Sequence, residues 1–168
     1  YCRLAIPLAA ALALALACAA VARAWLPQPS TPAAASLPQL VAHLFLLQDL
    51  LGFEALSAGV WYVAIDFQLH ALLVALFWLS GHGAMALVAG LAAASLFHFN
   101  RLPAWDAWGL YFFAAYGMGV LAYWAAANKR SAGILALMAG VVVLALLLDF
   151  RSRIALALIT AVLLGLTF

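Results

Sequence analysis

Charge is what this sequence has least of. Of its 168 residues only 7% are Asp, Glu, Lys or Arg, where a soluble domain carries about a quarter. A net charge of +2 is too small to argue for nucleic acid, which is excluded as a partner. Cysteine is nearly absent too. Cys2 and Cys18 are 16 residues apart in one apolar run. As a helix that run separates them by about 24 Å, too far for a disulfide, so they do not report on redox compartment. Proline is sparse and clustered, with Pro27, Pro29 and Pro32 in a single loop-like stretch. No 20–50-residue repeat with matching polar positions is present, and no ligand set marks a metal or a bound cofactor.

What is abundant is apolar surface, at 71% of residues. Ala and Leu outnumber Val and Ile in most segments, which favours helices over strands. The expected fold is all-α: a single transmembrane helical domain over 1–168, with about six to seven membrane segments and the lipid bilayer as partner. The segments are Leu4 to Leu26, Leu37 to Leu56, Ser57 to Leu79, Ala84 to Phe99, Trp105 or Ala107 to Ala127, Ala132 to Leu148, and Ile154 to Phe168. The first also fits a signal peptide, with Ala22-Arg23-Ala24 as a small-residue cleavage site. The second is interrupted by His43, Gln48, Asp49, Gly52 and Glu54, and its short apolar core leaves it to span, tilt or re-enter. Pro27 to Pro32 and Asn128-Lys129-Arg130 read as loops, and the Lys and Arg distribution sets no decisive orientation. The chain opens on Tyr1 rather than Met and is expected to be part of a longer protein.

One stretch breaks the apolar rule inside a run long enough to cross a bilayer. Trp61-Tyr62-Val63-Ala64-Ile65-Asp66-Phe67-Gln68-Leu69-His70 places an acid, an amide and an imidazole within five positions. An ionisable group at membrane depth costs about 2.5–3.5 kcal/mol on insertion scales, so it calls for a partner or a polar cavity. Tyr62, Asp66 and His70 share one helical face, and Gln68 lies nearly opposite, so its partner must come from a different neighbour. Asp66 and His70 are the candidate catalytic pair, an acid one turn before a base that it can orient, and both are expected to face protein or a polar cavity. The same two residues also suit a purely structural polar network. Arg101, Arg151 and Arg153 are candidate receivers of donor phosphates, and equally suit the role of loop-end anchors. His43 and His70 would suit haem or a chlorophyll-type magnesium, but nothing else in the sequence marks a pigment protein. His82 in its glycine turn reads as solvated and His98 as interfacial. Gly117 and Gly119 are expected at close helix crossings.

The stretch Trp61–His70 resembles the Trp-(Ser/Tyr)-Leu-(Ala/Ser)-Val-(Glu/Asp)-x-Gln-(Phe/Leu)-Tyr motif of the acyltransferase 3 family, integral-membrane O-acyltransferases of bacterial surface glycans with animal relatives. Trp61, Tyr62, Ala64, Ile65, Asp66, Gln68 and Leu69 match it or substitute conservatively, and His70 stands where the family usually has Tyr. Three further elements follow the family's order. His43-Leu44-Phe45-Leu46-Leu47-Gln48-Asp49-Leu50 is similar to its His-Leu-x-Leu-Leu-Gln-Asn-Leu element, Phe113 to Ala122 to its Phe-x-x-Gly-Met-x-x-Ala helix, and Arg3-Leu4-Ala5-Ile6-Pro7-Leu8 to the end of an Arg-rich helix entry. The resemblance implies acyl transfer from an acyl-CoA-type donor to a glycan or lipid hydroxyl in the bacterial inner membrane. It adds Trp61, Gln68, His43, Gln48 and Asp49 to the candidate binding residues. It also places the family's catalytic His and donor-binding Arg in helices before Tyr1, so this chain is expected to be inactive alone. Two alternatives remain: a non-catalytic membrane subunit of a larger assembly with other membrane subunits as partners, and a small transporter or pigment-binding subunit.

Overall fold

The computed structural model describes residues 2–25, 34–128 and 131–167. Among these, every regular element is helical: α1 (Cys2–Trp25), α2 (Leu37–Leu44), α3 (Ala58–Ser80), α4 (Ala84–Phe97), α5 (Gly109–Ala127), α6 (Ser131–Leu148) and α7 (Ser152–Thr167), with short 3-10 turns at Gly81–Gly83, Phe99–Arg101 and Pro103–Trp105. The all-α class therefore holds. Three stretches are long and apolar enough to cross a membrane: Arg3–Trp25, the run Gly59–Arg101 that contains α3 and α4, and Gly109–Ala127. The described parts of α6 and α7 are shorter apolar helices. The loops read at Pro27–Pro32 and Lys129-Arg130 lie outside the described residues.

The element boundaries follow local chemistry. Ser36 accepts a hydrogen bond from the Gln39 backbone while the Gln39 side chain returns to the Ser36 N–H, a capping box that starts α2 with Pro38 in its first turn. Only 8 residues later α2 ends, about 12 Å of helix against a hydrocarbon core of about 30 Å. The segment from Leu37 to Leu56 is thus short as a helix. It turns back through Leu46, whose φ is +59°, and Gly52, whose φ is +72°. Leu46 occupies this left-handed region although its Cβ disfavours it, and it is almost completely buried there.

The chain gathers into two compact units, Tyr1–Phe67 and Gln68–Phe168, which divide within α3. In the first, Leu8 and Leu12 of α1 pack with Leu46, Val60 and Ala64. In the second, α5 is the central helix and packs against α4, α6 and α7. Its Ala114, Met118 and Ala122 meet Leu96 of α4, Met138 and Val142 of α6, and Ile154 and Ala161 of α7. Gly117 makes the α4–α5 approach possible: a Cβ there would lie 2.9 Å from that of Ala92. Gly119 corrects the expectation set for it. A Cβ added there meets nothing within 4 Å, because two residues further round the helix it points away from α4. The outward faces stay apolar, with Leu14, Val21, Trp78, Leu137 and Leu147 all exposed.

Candidate functional site

On α3, Trp61 and Tyr62 are exposed, Asp66 is half-buried and His70 is exposed. The His70 ring meets Tyr116 of α5 edge-on at 5.5 Å between centroids. Both are expected to face protein or a polar cavity: Asp66 is half-buried, and His70, though exposed, has the Tyr116 ring of α5 beside it. Gln68 does find its partner elsewhere, in the turn that leads into α5. Its Oε1 accepts from the Gly109 N–H at 2.7 Å, and its Nε2 donates to the Ala107 carbonyl at 3.3 Å. Gly109 opens α5, and Trp108 before it provides no side-chain cap. An N–H in the first turn of a helix has no partner within that helix, so Gln68 supplies the cap from α3. The approach is tight, since a Cβ at Gly109 would lie 3.0 Å from the Gln68 Cβ, which would have to give by a few tenths of an ångström.

In the first unit His43 is fully buried, and its surroundings define its tautomer. Nδ1 lies 2.7 Å from the Gln39 carbonyl and must donate to it; Nε2 lies 3.0 Å from the Leu56 N–H and must accept from it. The ring therefore ties the last turns of α2 to the segment entering α3. Gln39 adds a second tie by donating to the Glu54 carbonyl at 2.8 Å. Gln48, also fully buried, donates to Asp49 at 2.9 Å, while its Oε1 is buried with no hydrogen-bond partner among the described residues.

The three candidate arginines gather at one end of the second unit, Arg101 from some fifty residues before the neighbouring pair Arg151 and Arg153. Arg151 is the most deeply set, its side chain 13% exposed. Its Nη1 donates to Asn100 Oδ1 at 2.6 Å and its Nη2 to the Leu96 carbonyl at 3.0 Å, while Nε lies 3.5 Å from Asp149. Asn100 passes the connection on by donating to the Tyr111 carbonyl at 2.8 Å. Ser95 lies beneath: it donates to the Leu110 carbonyl at 2.6 Å and accepts from the Ala114 N–H at 3.0 Å. These bonds join the end of α4, the start of α5 and the α6–α7 turn. Burial pulls the Arg151 pKa below the usual arginine value. Asp149 opposes that pull, Arg101 adds to it, and the charge stays in place because the guanidinium is hydrogen-bonded. Arg101 pairs with Asp149 at 3.5 Å and is 45% exposed. Arg153 donates to the Tyr111 hydroxyl at 2.9 Å, and its guanidinium lies 5.4 Å from that ring's centroid.

The tertiary structure thus brings Arg101, Arg151 and Arg153 together, and seats Gln48 on Asp49. His43 and Gln68 are engaged by backbone groups around α2 and at the start of α5. Ser95 and Asn100 are polar residues that sequence reasoning did not single out. A lone hydroxyl inside the apolar run Leu91–Phe97 was the available signal. His98 and His82 are exposed, the former edge-on to Phe99. No family model matches the chain, and neither a curated protein nor a solved structure is significantly similar to it.

Proposed function

We propose that this chain is an acyltransferase 3-like protein of the bacterial cytoplasmic membrane, embedded in the bilayer, that takes part in moving an acyl group from a CoA-type donor onto a hydroxyl of a glycan or lipid. The observation that carries this reading is α3, an apolar helix of membrane-spanning length that presents an accessible imidazole, His70, one turn after a half-buried carboxylate, Asp66. An imidazole can take the proton from an attacking hydroxyl, and a carboxylate can orient it. Arg101 and Arg153 keep exposed surface with which to meet donor phosphates, whereas Arg151 is committed to Asn100 and Leu96.

One set of observations favours a second reading, a non-catalytic membrane subunit. His43, Gln68, Asn100 and Arg151 all spend their polar atoms on backbone or neighbouring side chains, as structural polar groups in an apolar bundle do. The two readings separate by assay. Residues 1–168 and the full gene product are each supplied with an acyl-CoA donor and a membrane glycan or lipid acceptor. We expect no turnover from residues 1–168 alone, and turnover from the full gene product that His70→Ala lowers by about 10²–10⁴-fold, the usual share of a general base. Turnover unaffected by His70→Ala removes the base from α3. No turnover from either protein moves the weight to the subunit.

A further inference from the structure

The second unit contains a crevice of about 190 Å³ that none of the reading above uses. Its floor is Ala114 and Met118 of α5, and its walls are Ala93 and Leu96 of α4 and Met138 and Val142 of α6. The lining holds no charged or hydroxyl side chain. Leu96 and Val142 are buried and close one end, whereas Ala89 and Leu137 at the rim are exposed, so the crevice opens sideways from the bundle. Its closed end lies under the arginine cluster, since the Leu96 carbonyl is the acceptor of Arg151. Arg101, four residues past the end of α4, pairs with Asp149, the residue after α6, so this ion pair links the ends of the two walls.

We infer that the crevice seats one acyl chain of an anionic phospholipid, with its phosphate on Arg101. Three observations select that occupant. First, α4 and α6 already touch where both lie on α5. A further helix would need about 8–10 Å from each of their axes, so the gap suits a single flexible chain rather than a helix. Second, Met118 and Met138 give it an adaptable apolar surface of the kind that moulds to a flexible ligand. Third, three arginines outnumber Asp149 and Asp106, the acids of the two connections at this end. Of the three, Arg101 is exposed and holds Asp149 only loosely, at 3.5 Å against the 2.7–2.9 Å of a strong charge-assisted bond. A phosphate can therefore share it. The inference rests on the chain lying in a bilayer, but not on acyl transfer.

The test uses the full gene product in phosphatidylcholine vesicles with admixed phosphatidylglycerol, either lipid carrying a photoreactive diazirine in its acyl chain. Mass mapping should find adducts concentrated on Ala89–Leu96 and Ile134–Val142, with phosphatidylglycerol preferred. Ala93→Phe, which fills the crevice, should abolish them, and Leu137→Trp at the rim should reduce them without touching the core. Ala94→Phe, on the exposed face of α4 turned away from the crevice, should leave them unchanged. Arg101→Gln should lower the preference for phosphatidylglycerol by about fivefold, one surface arginine's share. Adducts spread evenly over the apolar helix faces, or surviving both Ala93→Phe and Leu137→Trp, overturn the proposal, as does cross-linking of the crevice to a helix of a second copy. An unchanged preference in Arg101→Gln overturns the phosphate contact. Release of the protein from vesicles by alkaline extraction fails the bilayer reading itself, a result distinct from retention without crevice adducts.

Discussion

At the scale of single residues, neighbours that look alike in sequence have opposite roles. Arg151 and Arg153 are two positions apart in a charged turn, yet one guanidinium is wedged between Asn100 and the Leu96 carbonyl and the other lies over Tyr111 at the surface. Removing the first leaves a buried amide oxygen and a buried carbonyl without their donors, at about 1–3 kcal/mol each. Removing the second forfeits an exposed contact worth about 0.5–1 kcal/mol. Arg151→Met should therefore lower the unfolding free energy in detergent by about 2–6 kcal/mol, and Arg153→Met by less than about 1. Equal losses in denaturant titrations of the two variants would contradict the assignment of Arg151 as the clamp. Nothing in the local sequence separates the pair, because their difference lies in α4, some fifty residues earlier.

Elements follow a different logic, since most of their limits are local. The expected segments Ser57–Leu79, Ala84–Phe99 and Ala132–Leu148 lie within two residues of α3, α4 and α6, because apolar runs bounded by glycine, proline or charge have few other ways to satisfy their backbone. The segment at Leu37–Leu56 was legible only in part. Ser36-x-x-Gln39 with Pro38 marks its start, but its early end depends on His43 and Gln39 reaching Leu56 and Glu54 across the turn. The two glycines of α5 make the same point. Gly117→Leu should separate α4 from α5 and cost about 2–4 kcal/mol or prevent folding, whereas Gly119→Leu, facing open space, should change stability by less than about 0.5. Thermal unfolding of the two variants in detergent decides it, and similar losses in both would refute the packing described for α5.

For the molecule as a whole, the direction of α4 predicts a topology. Its first residue follows the Gly81–Gly83 turn, and its last turn is bonded to Arg151 in the α6–α7 connection, so His82 and Ser152 lie at opposite ends of the second unit. With Cys2 and Cys18 replaced by Ser, a cysteine at His82 and one at Ser152 should react with an impermeant maleimide from opposite faces of sealed vesicles. Labelling of both from the same face would show that α4 does not cross.

By itself the sequence determined the class of the molecule. With so little charge and so much leucine and alanine, a chain can satisfy its backbone only within helices and has only apolar faces to present, so the all-α fold, the apolar stretches and the approximate helix limits are local consequences. Even Gln68 was seen to need a partner off its own helix, from register alone. Which partner each polar group takes was decided by tertiary structure alone. Gln68 caps α5, Asn100 and Arg151 lock the end of one bundle, Gly117 is pressed where Gly119 is free, and His70 lies against the Tyr116 ring. The physical reason is that a buried hydrogen bond is satisfied by whichever donor or acceptor the packing brings within 3 Å, and in the second unit those come from up to 55 residues away.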